Sequence, residues 1–259
     1  MQTTNHSPVN VVGIGASAGG LEAIETFFKH MPDNSGVAFV VIQHLSPDHK
    51  SLMAELLSKR TLMPVHRAEG GMSVEPNCVY LIPPNKNLRI FHGKLLLSDQ
   101  NRDDRGINLP IDIFFRSLAE DYADKAIAIV LSGTGSDGTS GIRSIKENLG
   151  MVMTQSEESA AFDGMPRSAI ATGLVDYILP PDAMPNQLLT YLNHPYTSKD
   201  DLSSVLLSNE DGLSRIFALL REHNKIDFTY YKPSTIIRRI ERRMAVNQIN
   251  ESARLCALP

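Results

Sequence analysis

Short apolar runs alternate along most of this chain with segments whose apolar residues recur at helical spacing. The apolar runs have the length and the β-branched residues typical of buried strands. They predict strands at 9–14, 37–43, 78–82, 126–132, 150–155 and 175–179. The segments between them predict helices at 20–30, 48–59, 110–123, 138–148, 165–172 and 182–193. This alternation indicates an α/β fold, a doubly wound and mostly parallel sheet with helices on both faces.

Residues 84–108 interrupt the alternation. Two apolar runs within 88–97 flank His92-Gly93, which predicts a β-hairpin that turns at these two residues. The polar run 100–106 that follows is expected to be a loop.

Past the last predicted helix the pattern changes again. Residues 195–211 are rich in Ser, Asp, Asn and Lys and have no strong period, so we predict a linker there. The segment 212–244 carries two amphipathic helical patterns around residues 227–233, and Pro233 suits a first helical turn. We therefore predict a domain at 1–194, the linker, and a small helical domain at 212–259.

The composition is that of an ordinary globular protein, with 42% hydrophobic and 21% charged residues among 259. No apolar run approaches the roughly 20 residues that span a bilayer, and the N-terminus lacks the basic and apolar parts of a secretory signal. The two cysteines, Cys78 and Cys256, lie far apart, and no zinc-ligand spacing occurs. We expect a cytoplasmic protein without a metal site and without direct membrane insertion.

Charge is spread unevenly along the chain, whose net charge is −4. Residues 212–243 hold eight Lys and Arg against three Asp and Glu, whereas the remainder holds 17 against 26. A basic C-terminal segment on an acidic body suggests two units with different partners.

The turn after the first predicted strand reads G-x-S-x-G at residues 15–19. A serine on a sharp strand-to-helix turn exposes its hydroxyl at the edge of a sheet, where the helix N-terminus favours developing negative charge. Ser17 is thus a candidate nucleophile. A phosphate cradle is equally open on the turn alone, although the third glycine falls one position late for a dinucleotide fingerprint and strand 37–43 does not end in an acid.

Two further polar residues follow predicted strands. His44 comes directly after strand 37–43, and Asp137 lies in a glycine-rich segment after strand 126–132. Each has a structural alternative, because His44 could cap its strand and Asp137 could be the N-cap of the next helix. The carboxyl ends of parallel strands meet at one rim, so Ser17, His44 and Asp137 could form a nucleophile, a base and an orienting carboxylate.

Several segments resemble the bacterial chemoreceptor methylesterases, the CheB family. The three segments that resemble its catalytic motifs are 12–20, 42–47 and 131–138. Further resemblance lies at 80–84, 110–117 and 162–167. The resemblance implies hydrolysis of glutamate γ-methyl esters on the cytoplasmic helices of chemoreceptors, with release of methanol, in chemotaxis adaptation or related signalling. Some members of the family also deamidate receptor glutamines.

The resemblance also implies a role for each candidate residue. It makes Ser17 the nucleophile, His44 the general base and acid, and Asp137 the residue that orients His44, with neither a metal nor an organic cofactor. The family's receiver domain is not expected in this sequence, because the first predicted strand begins near residue 9.

Three residues are expected to line the substrate and oxyanion cleft: Ala18, Thr134 and Gly135. Two of them depart from the usual family pattern. Ala18 stands where a threonine usually follows the nucleophile, and Thr134 replaces the methionine of a Gly-Met-Gly sequence.

The segment 226–244 resembles the N-terminal helical domain of the chemoreceptor methyltransferases, CheR. Four arginines at helical spacing form one basic face there: Arg238, Arg239, Arg242 and Arg243. The resemblance implies that this face docks acidic receptor helices, although a solvated, salt-bridged helix is an alternative. Nucleic acid is not an expected partner, because no motif for reading it occurs and the chain is acidic overall.

We expect S-adenosylmethionine to serve only a transferase domain that lies outside this sequence. The main alternative to an esterase is a non-catalytic sensory adaptor that keeps the fold and binds receptor helices. A dinucleotide-binding enzyme is a distant third, and the sequence leaves the oligomeric state open.

Overall fold

A computed structural model describes the chain at residues 10–43, 53–100, 108–194, 221 and 233–249. His44, nearly all of the predicted loop at 100–106 and the predicted linker at 195–211 lie outside these residues. The chain divides into two compact units, Met1–Asn186 and Gln187–Pro259. The predicted domain boundaries at 194 and 212 therefore stay predictions.

Within the described residues, seven strands form a parallel sheet in the order β3-β4-β2-β1-β7-β8-β9. Its strands are β1 (Asn10–Ala16), β2 (Val37–Gln43), β3 (Val65–Arg67), β4 (Cys78–Leu81), β7 (Ile127–Val130), β8 (Met151–Gln155) and β9 (Tyr177–Leu179). A separate antiparallel hairpin consists of β5 (Lys86–Phe91) and β6 (Lys94–Asp99). This architecture confirms the predicted doubly wound α/β fold.

Helices alternate with strands along much of the chain. They are α1 (Gly20–His30), α2 (Met53–Leu57), α3 (Pro110–Tyr122), α4 (Thr139–Glu147), α5 (Gly164–Ile170) and α6 (Met184–Leu192), with short 3₁₀ turns at Ala123–Lys125 and Glu157–Ser159. The central strands β1, β2 and β7 are buried along almost their whole length, which explains their continuous apolar sequences. On α1, Phe27 and Phe28 each meet Phe39 of β2 edge-to-face, with ring centroids 5.8 and 5.3 Å apart.

The sequence pattern predicted the hairpin turn and missed strand β3. The hairpin turn at His92-Gly93 is confirmed: His92 has a φ of 48°, and the Asp121 carboxylate accepts the backbone N–H groups of both turn residues at 2.7 and 2.9 Å. Strand β3 was not predicted. It has only three residues, all of them at least partly exposed, so it shows no apolar alternation that a sequence pattern could reveal.

The strand order defines where a site is expected. From β1 the sheet grows through β2, β4 and β3 on one side, and then through β7, β8 and β9 on the other. The crevice between β1 and β7, at their carboxyl ends, is therefore the topological switch point where ligands bind in open α/β sheets.

In the second unit, helix α7 (Pro233–Val246) begins at the proline that the sequence placed in a first helical turn. Its buried residues Ile236, Ile237, Ile240 and Met244 recur at helical spacing, which makes the helix amphipathic. None of the helices in the described part of the chain is both long and apolar enough to cross a membrane.

Candidate functional site

Ser17 lies one residue past β1, on the turn that leads into α1, and its side chain is partly exposed. The turn is tight because Gly19 takes a φ of 70°, the left-handed region that favours glycine. A Cβ atom at Gly19 would lie 2.8 Å from both the Ala161 Cβ and the Ser132 Oγ. The glycine of the G-x-S-x-G pattern is thus required by backbone conformation and by packing at the nucleophile turn.

The register of the sheet sets the neighbours of this turn. Ala16 pairs with Gln43 of β2, the residue that precedes His44 in the chain. On the other side, the ladder between β1 and β7 extends past both strands, because the Ser17 N–H donates to the Ser132 carbonyl at 3.0 Å. Ser17 therefore lies between the end of β2 and the segment that follows β7. His44 itself is outside the described residues.

The segment after β7 lies directly against Ser17. A Cβ atom at Gly133 would come within 2.8 Å of the Ser17 Cβ and 2.2 Å of the Met165 sulfur, so only glycine fits there. Thr134 and Gly135, the next residues, are exposed. This contact brings the predicted nucleophile and the predicted cleft residues together.

Three backbone N–H groups at this place donate no hydrogen bond within the described residues: those of Ala18, Thr134 and Gly135. Ala18 follows the nucleophile at the start of α1, and the other two lie on the segment that contacts Ser17. Backbone N–H groups next to a nucleophile are the usual donors to an oxyanion. The assignment of Ala18, Thr134 and Gly135 to a substrate and oxyanion cleft stays a prediction.

Asp137 is buried, with 3% of its surface exposed, and its carboxylate accepts three backbone N–H groups. Ile111 donates to Oδ2 at 3.0 Å, and Asp112 and Gly138 donate to Oδ1 at 2.9 and 2.8 Å. The carboxylate therefore caps the N-terminus of α3, whose own N-cap residue, Leu109, supplies no side-chain hydrogen bond. These three bonds hold the carboxylate in one orientation beside the start of α3.

Asp112, in the first turn of α3, forms the corresponding hydrogen bond to α4. Its Oδ1 accepts the N–H of Gly141, in the first turn of α4, at 2.6 Å. The two buried aspartates thus cap each other's helices and bind the two N-termini together. Burial raises the pKa of the Asp112 carboxyl and the Asp137 charge raises it further, while the Gly141 hydrogen bond and the Arg116 guanidinium 4.0 Å away lower it.

Sequence reasoning missed the role of Ser132, a fully buried residue that follows β7. Its hydroxyl donates to the Ala18 carbonyl at 2.9 Å, and its N–H donates to the side-chain oxygen of Gln155 at 2.8 Å. One signal was available, since Gln155 is a polar residue at the end of a strand that is otherwise apolar apart from Thr154. Such a residue needs a buried partner.

The four arginines of α7 do not share one environment. Arg238, Arg239 and Arg243 are exposed, whereas Arg242 is only partly exposed. The Arg242 guanidinium lies 4.9 Å from the centroid of the Tyr191 ring and donates a hydrogen bond to the Tyr191 hydroxyl. Both residues belong to the second unit. The basic face predicted for α7 is therefore three exposed arginines beside one that packs within its unit.

No cluster of three or more His, Cys, Asp or Glu side chains with the spacing of a metal site occurs among the residues that the structure describes. The chemistry available at the switch point is that of a hydroxyl, backbone N–H donors and a buried carboxylate.

The sequence and the fold are similar to those of known proteins. The profile of the family described as CheB methylesterase covers residues 12–188, and that of the CheR methyltransferase all-alpha domain covers 211–258. The crystal structure of the Thermotoga maritima CheB methylesterase catalytic domain superposes with a TM-score of 0.65 and 30% identity, over 71% of this chain and 98% of that one.

Curated relatives carry the same resemblance. The protein-glutamate methylesterase/protein-glutamine glutaminase of group 3 operon from Rhizobium meliloti is 33% identical over 177 residues, which are 68% of this chain and 50% of the relative. A 104.1 kDa uncharacterized protein from Rhodobacter capsulatus is 37% identical over 218 residues, 76% of this chain and 23% of its own length. The chain thus spans half or less of the length of these two relatives.

Proposed function

The chain belongs to the CheB methylesterase family, and from this we propose that it hydrolyses the γ-methyl esters of glutamate residues on the cytoplasmic helices of chemoreceptors. One observation carries the proposal. Ser17 lies at the topological switch point, in contact with Gly133, beside backbone N–H groups that donate no hydrogen bond within the described residues. This is the local arrangement that acyl transfer to a serine requires.

In the proposed reaction the Ser17 oxygen attacks the ester carbonyl carbon while its proton passes to the His44 imidazole. The tetrahedral intermediate then breaks its bond to the methoxy oxygen, which leaves as methanol with the proton from His44. A glutamyl ester on Ser17 remains. Water attacks that ester with His44 again as the base, and the receptor carboxylate and the Ser17 hydroxyl are regenerated.

The negative charge of the intermediate falls on the former carbonyl oxygen. We assign its stabilisation to the N–H of Ala18 and the N–H of Thr134 or Gly135, because these groups flank Ser17 from α1 and from the segment after β7. Every group in this scheme belongs to the chain or to water, and the proposal includes neither a metal nor an organic cofactor.

We propose that Asp137 orients His44 by accepting a hydrogen bond from its imidazole. Support comes from the burial of Asp137 and from the three backbone N–H groups that hold its carboxylate in one orientation. A carboxylate fixed in this way can select one tautomer of the imidazole and stabilise the imidazolium that forms during the reaction.

The same acyl chemistry extends the proposal to receptor glutamines. The Rhizobium relative is named as both a methylesterase and a glutaminase. Attack of Ser17 on a glutamine carbonyl would release ammonia in place of methanol and give the same acyl-enzyme. Ammonia release from receptor fragments that contain glutamine at the methylation positions tests this extension.

We further propose that the three exposed arginines of α7 bind acidic receptor helices and that the protein acts in the cytoplasm, where those helices lie. The positive charge of Arg238, Arg239 and Arg243 beside an otherwise acidic chain supports this partner.

The proposal is tested by incubating the protein with receptor-containing membranes whose methyl esters carry a radioactive label and measuring volatile methanol. We expect methanol release by the wild-type chain and none by a folded Ser17→Ala variant. A folded wild-type chain that binds receptor fragments and releases no methanol would support the sensory adaptor instead.

A further inference from the structure

Ser132 bonds the nucleophile turn through two different groups. Its carbonyl accepts the N–H of Ser17 at 3.0 Å, and its hydroxyl donates to the carbonyl of Ala18 at 2.9 Å. The same hydroxyl accepts the N–H of Phe162 at 3.0 Å. Ser132 has no exposed surface, so water does not compete for these bonds.

These bonds fix three consecutive peptide groups. The peptide that carries the Ser17 N–H is held by the Ser132 carbonyl, and the peptide that carries the Ala18 carbonyl is held by the Ser132 hydroxyl. Between them lies the peptide that joins Ser17 to Ala18, whose carbonyl accepts the N–H of Gly20 at 2.9 Å. In a planar trans peptide the N–H points away from the carbonyl, so the direction of the Ala18 N–H is set by all three contacts.

The segment that carries Thr134 is connected to Ser132 through Phe162. Gly133 donates its N–H to the Phe162 carbonyl at 2.9 Å and accepts the N–H of Met165 at 2.8 Å. The second of these bonds fixes the peptide that carries the Thr134 N–H. Phe162 also donates its N–H to the Ser132 hydroxyl, so the segment before α5 is bonded both to Ser132 and to the peptide that precedes the one carrying the Thr134 N–H.

Ser132 is itself anchored from β8. Its N–H donates to the side-chain oxygen of Gln155 at 2.8 Å, and the Gln155 amide donates to the Ser159 carbonyl at 2.9 Å. Gln155 is buried, with 2% of its surface exposed. The Phe162 carbonyl, 3.2 Å away, is a second acceptor within reach of the Ser132 hydroxyl, and the Ala18 carbonyl at 2.9 Å is the nearer one. A buried hydrogen-bond network of this kind restricts the movement of its members.

We propose that Ser132 is a positioning residue for the esterase reaction, whose hydroxyl holds the N–H groups of Ala18 and Thr134 in place to stabilise the oxyanion. This inference rests on the proposed function. Donors that are aligned before the reaction stabilise the transition state more than the bound substrate, so loss of the hydroxyl acts on kcat rather than on KM.

The test compares Ser132→Ala with Thr154→Val. Thr154 is also fully buried, and its hydroxyl donates to the Val130 carbonyl at 3.2 Å in the neighbouring strand without contact to the nucleophile turn. Ser132→Cys is a second variant that fills the same space with a weak hydrogen-bonding group, in case Ser132→Ala does not fold. Circular dichroism and thermal denaturation establish that each variant is folded.

With a small methyl ester as substrate, we expect kcat of Ser132→Ala and Ser132→Cys to fall by about 10- to 100-fold with KM within about twofold of the wild type. Thr154→Val keeps the wild-type kcat even if its melting temperature falls. The affinity for a boronic acid, which forms a tetrahedral adduct with a nucleophilic serine, falls by the same factor as kcat/KM in the two Ser132 variants.

A folded Ser132 variant with wild-type kcat and boronate affinity would overturn the inference. So would an equal loss of kcat in Thr154→Val, because that result assigns the effect to general destabilisation. The proposed function fails separately, when the wild-type chain hydrolyses no methyl ester or when Ser17→Ala is as active as the wild type.

Discussion

The carboxyl edge of the sheet and helix α7 are the two regions expected to meet a receptor, and they are built in opposite ways. At the sheet edge, Asp137 and Ser132 are buried, and each forms several hydrogen bonds of 2.8–3.0 Å to backbone groups. On α7, Arg238, Arg239 and Arg243 are exposed. The edge holds its groups in place before a substrate arrives, whereas the helix presents charge on long, exposed side chains.

The two regions should therefore contribute different interaction energies, one to the reaction and the other to binding. Buried, hydrogen-bonded groups interact strongly with the reacting atoms, and salt screens these interactions only weakly. Exposed charges contribute about 0.2–1 kcal/mol each and are screened over about 8 Å at physiological ionic strength. Substitutions at the edge should therefore have large effects on chemistry, and substitutions on α7 should have small, salt-dependent effects on binding.

The largest effect is expected at the edge, from Ser17→Ala and His44→Ala. Both residues take part in bond formation, so each variant should lose about 10⁶-fold in kcat, as when a serine protease loses its serine or histidine. The measurement is methanol release from a small methyl ester. Ser98→Ala, at an exposed serine of the hairpin, is the control and should keep wild-type activity. Substantial turnover by folded Ser17→Ala would remove Ser17 from the mechanism.

Asp137→Asn should cost about 10⁴-fold in kcat, because Asp137 orients a base and does not itself exchange the proton. In the wild type both carboxylate oxygens of Asp137 accept backbone N–H groups. In Asp137→Asn the amide nitrogen replaces one of these oxygens and cannot accept. We therefore also expect a loss of about 1–3 kcal/mol in the free energy of unfolding. Chemical denaturation and steady-state kinetics measure the two effects.

Asp182→Asn is the matched control, since it removes the same charge from an exposed aspartate of the first unit. It should change neither quantity. Wild-type kcat in Asp137→Asn would leave Asp137 with the helix-capping role alone.

On α7, replacement of Arg238, Arg239 and Arg243 together by Ala should weaken binding to receptor fragments by about tenfold at low salt. The loss should shrink as salt rises, because the charges are exposed. Hydrolysis of a small methyl ester should stay unchanged. Binding titrations at low and high ionic strength measure the effect, and equal affinity of variant and wild type at low salt would favour the solvated-helix alternative.

Arg242→Ala provides the comparison within the same helix. Its guanidinium packs on Tyr191, so we expect its loss to destabilise the second unit by about 0.5–2 kcal/mol. The triple variant should cost less stability per arginine removed, because Arg238, Arg239 and Arg243 are exposed. An Arg242→Ala variant that loses receptor affinity without any loss of stability would return Arg242 to the docking face.

The smallest effect concerns a buried charge at the edge. Burial raises the pKa of the Asp112 carboxyl above its ordinary value of 3.8, and the nearby Asp137 charge adds to this while Arg116 opposes it. The folded protein therefore binds this proton more tightly than the unfolded chain does. The contribution of Asp112 to stability is complete below the ordinary pKa and is lost as pH rises through the raised pKa.

Asn at position 112 stays neutral at every pH and can still accept the Gly141 N–H through its side-chain oxygen. The melting temperature of Asp112→Asn relative to wild type should therefore rise by a few degrees between about pH 4 and pH 7. Thermal denaturation at several pH values measures this. A difference that is constant or falls with rising pH would contradict the assigned cause.

Local pattern was sufficient for most of the fold. Long apolar runs predicted the central strands. The glycine-rich turns after β1 and β7 marked candidate site segments, because tight turns leave a signature in a few adjacent residues. Strand β3 was missed because its three residues are partly exposed and carry no period. The catalytic roles of Ser17, His44 and Asp137 stay predictions that the experiments above address.

The amino-acid sequence by itself determined the order of strands and helices along the chain, and that Ser17, His44 and Asp137 each follow a predicted strand. Only the tertiary structure decided that Asp137 caps α3, 25 residues earlier in the chain, that Ser132 holds the peptides on both sides of the Ser17–Ala18 peptide, and that Arg242 packs on Tyr191. The physical reason is the distance along the chain over which each interaction acts. Periodicity and turn chemistry act between near neighbours, whereas the partner of a buried polar group depends on which distant segments the fold brings together.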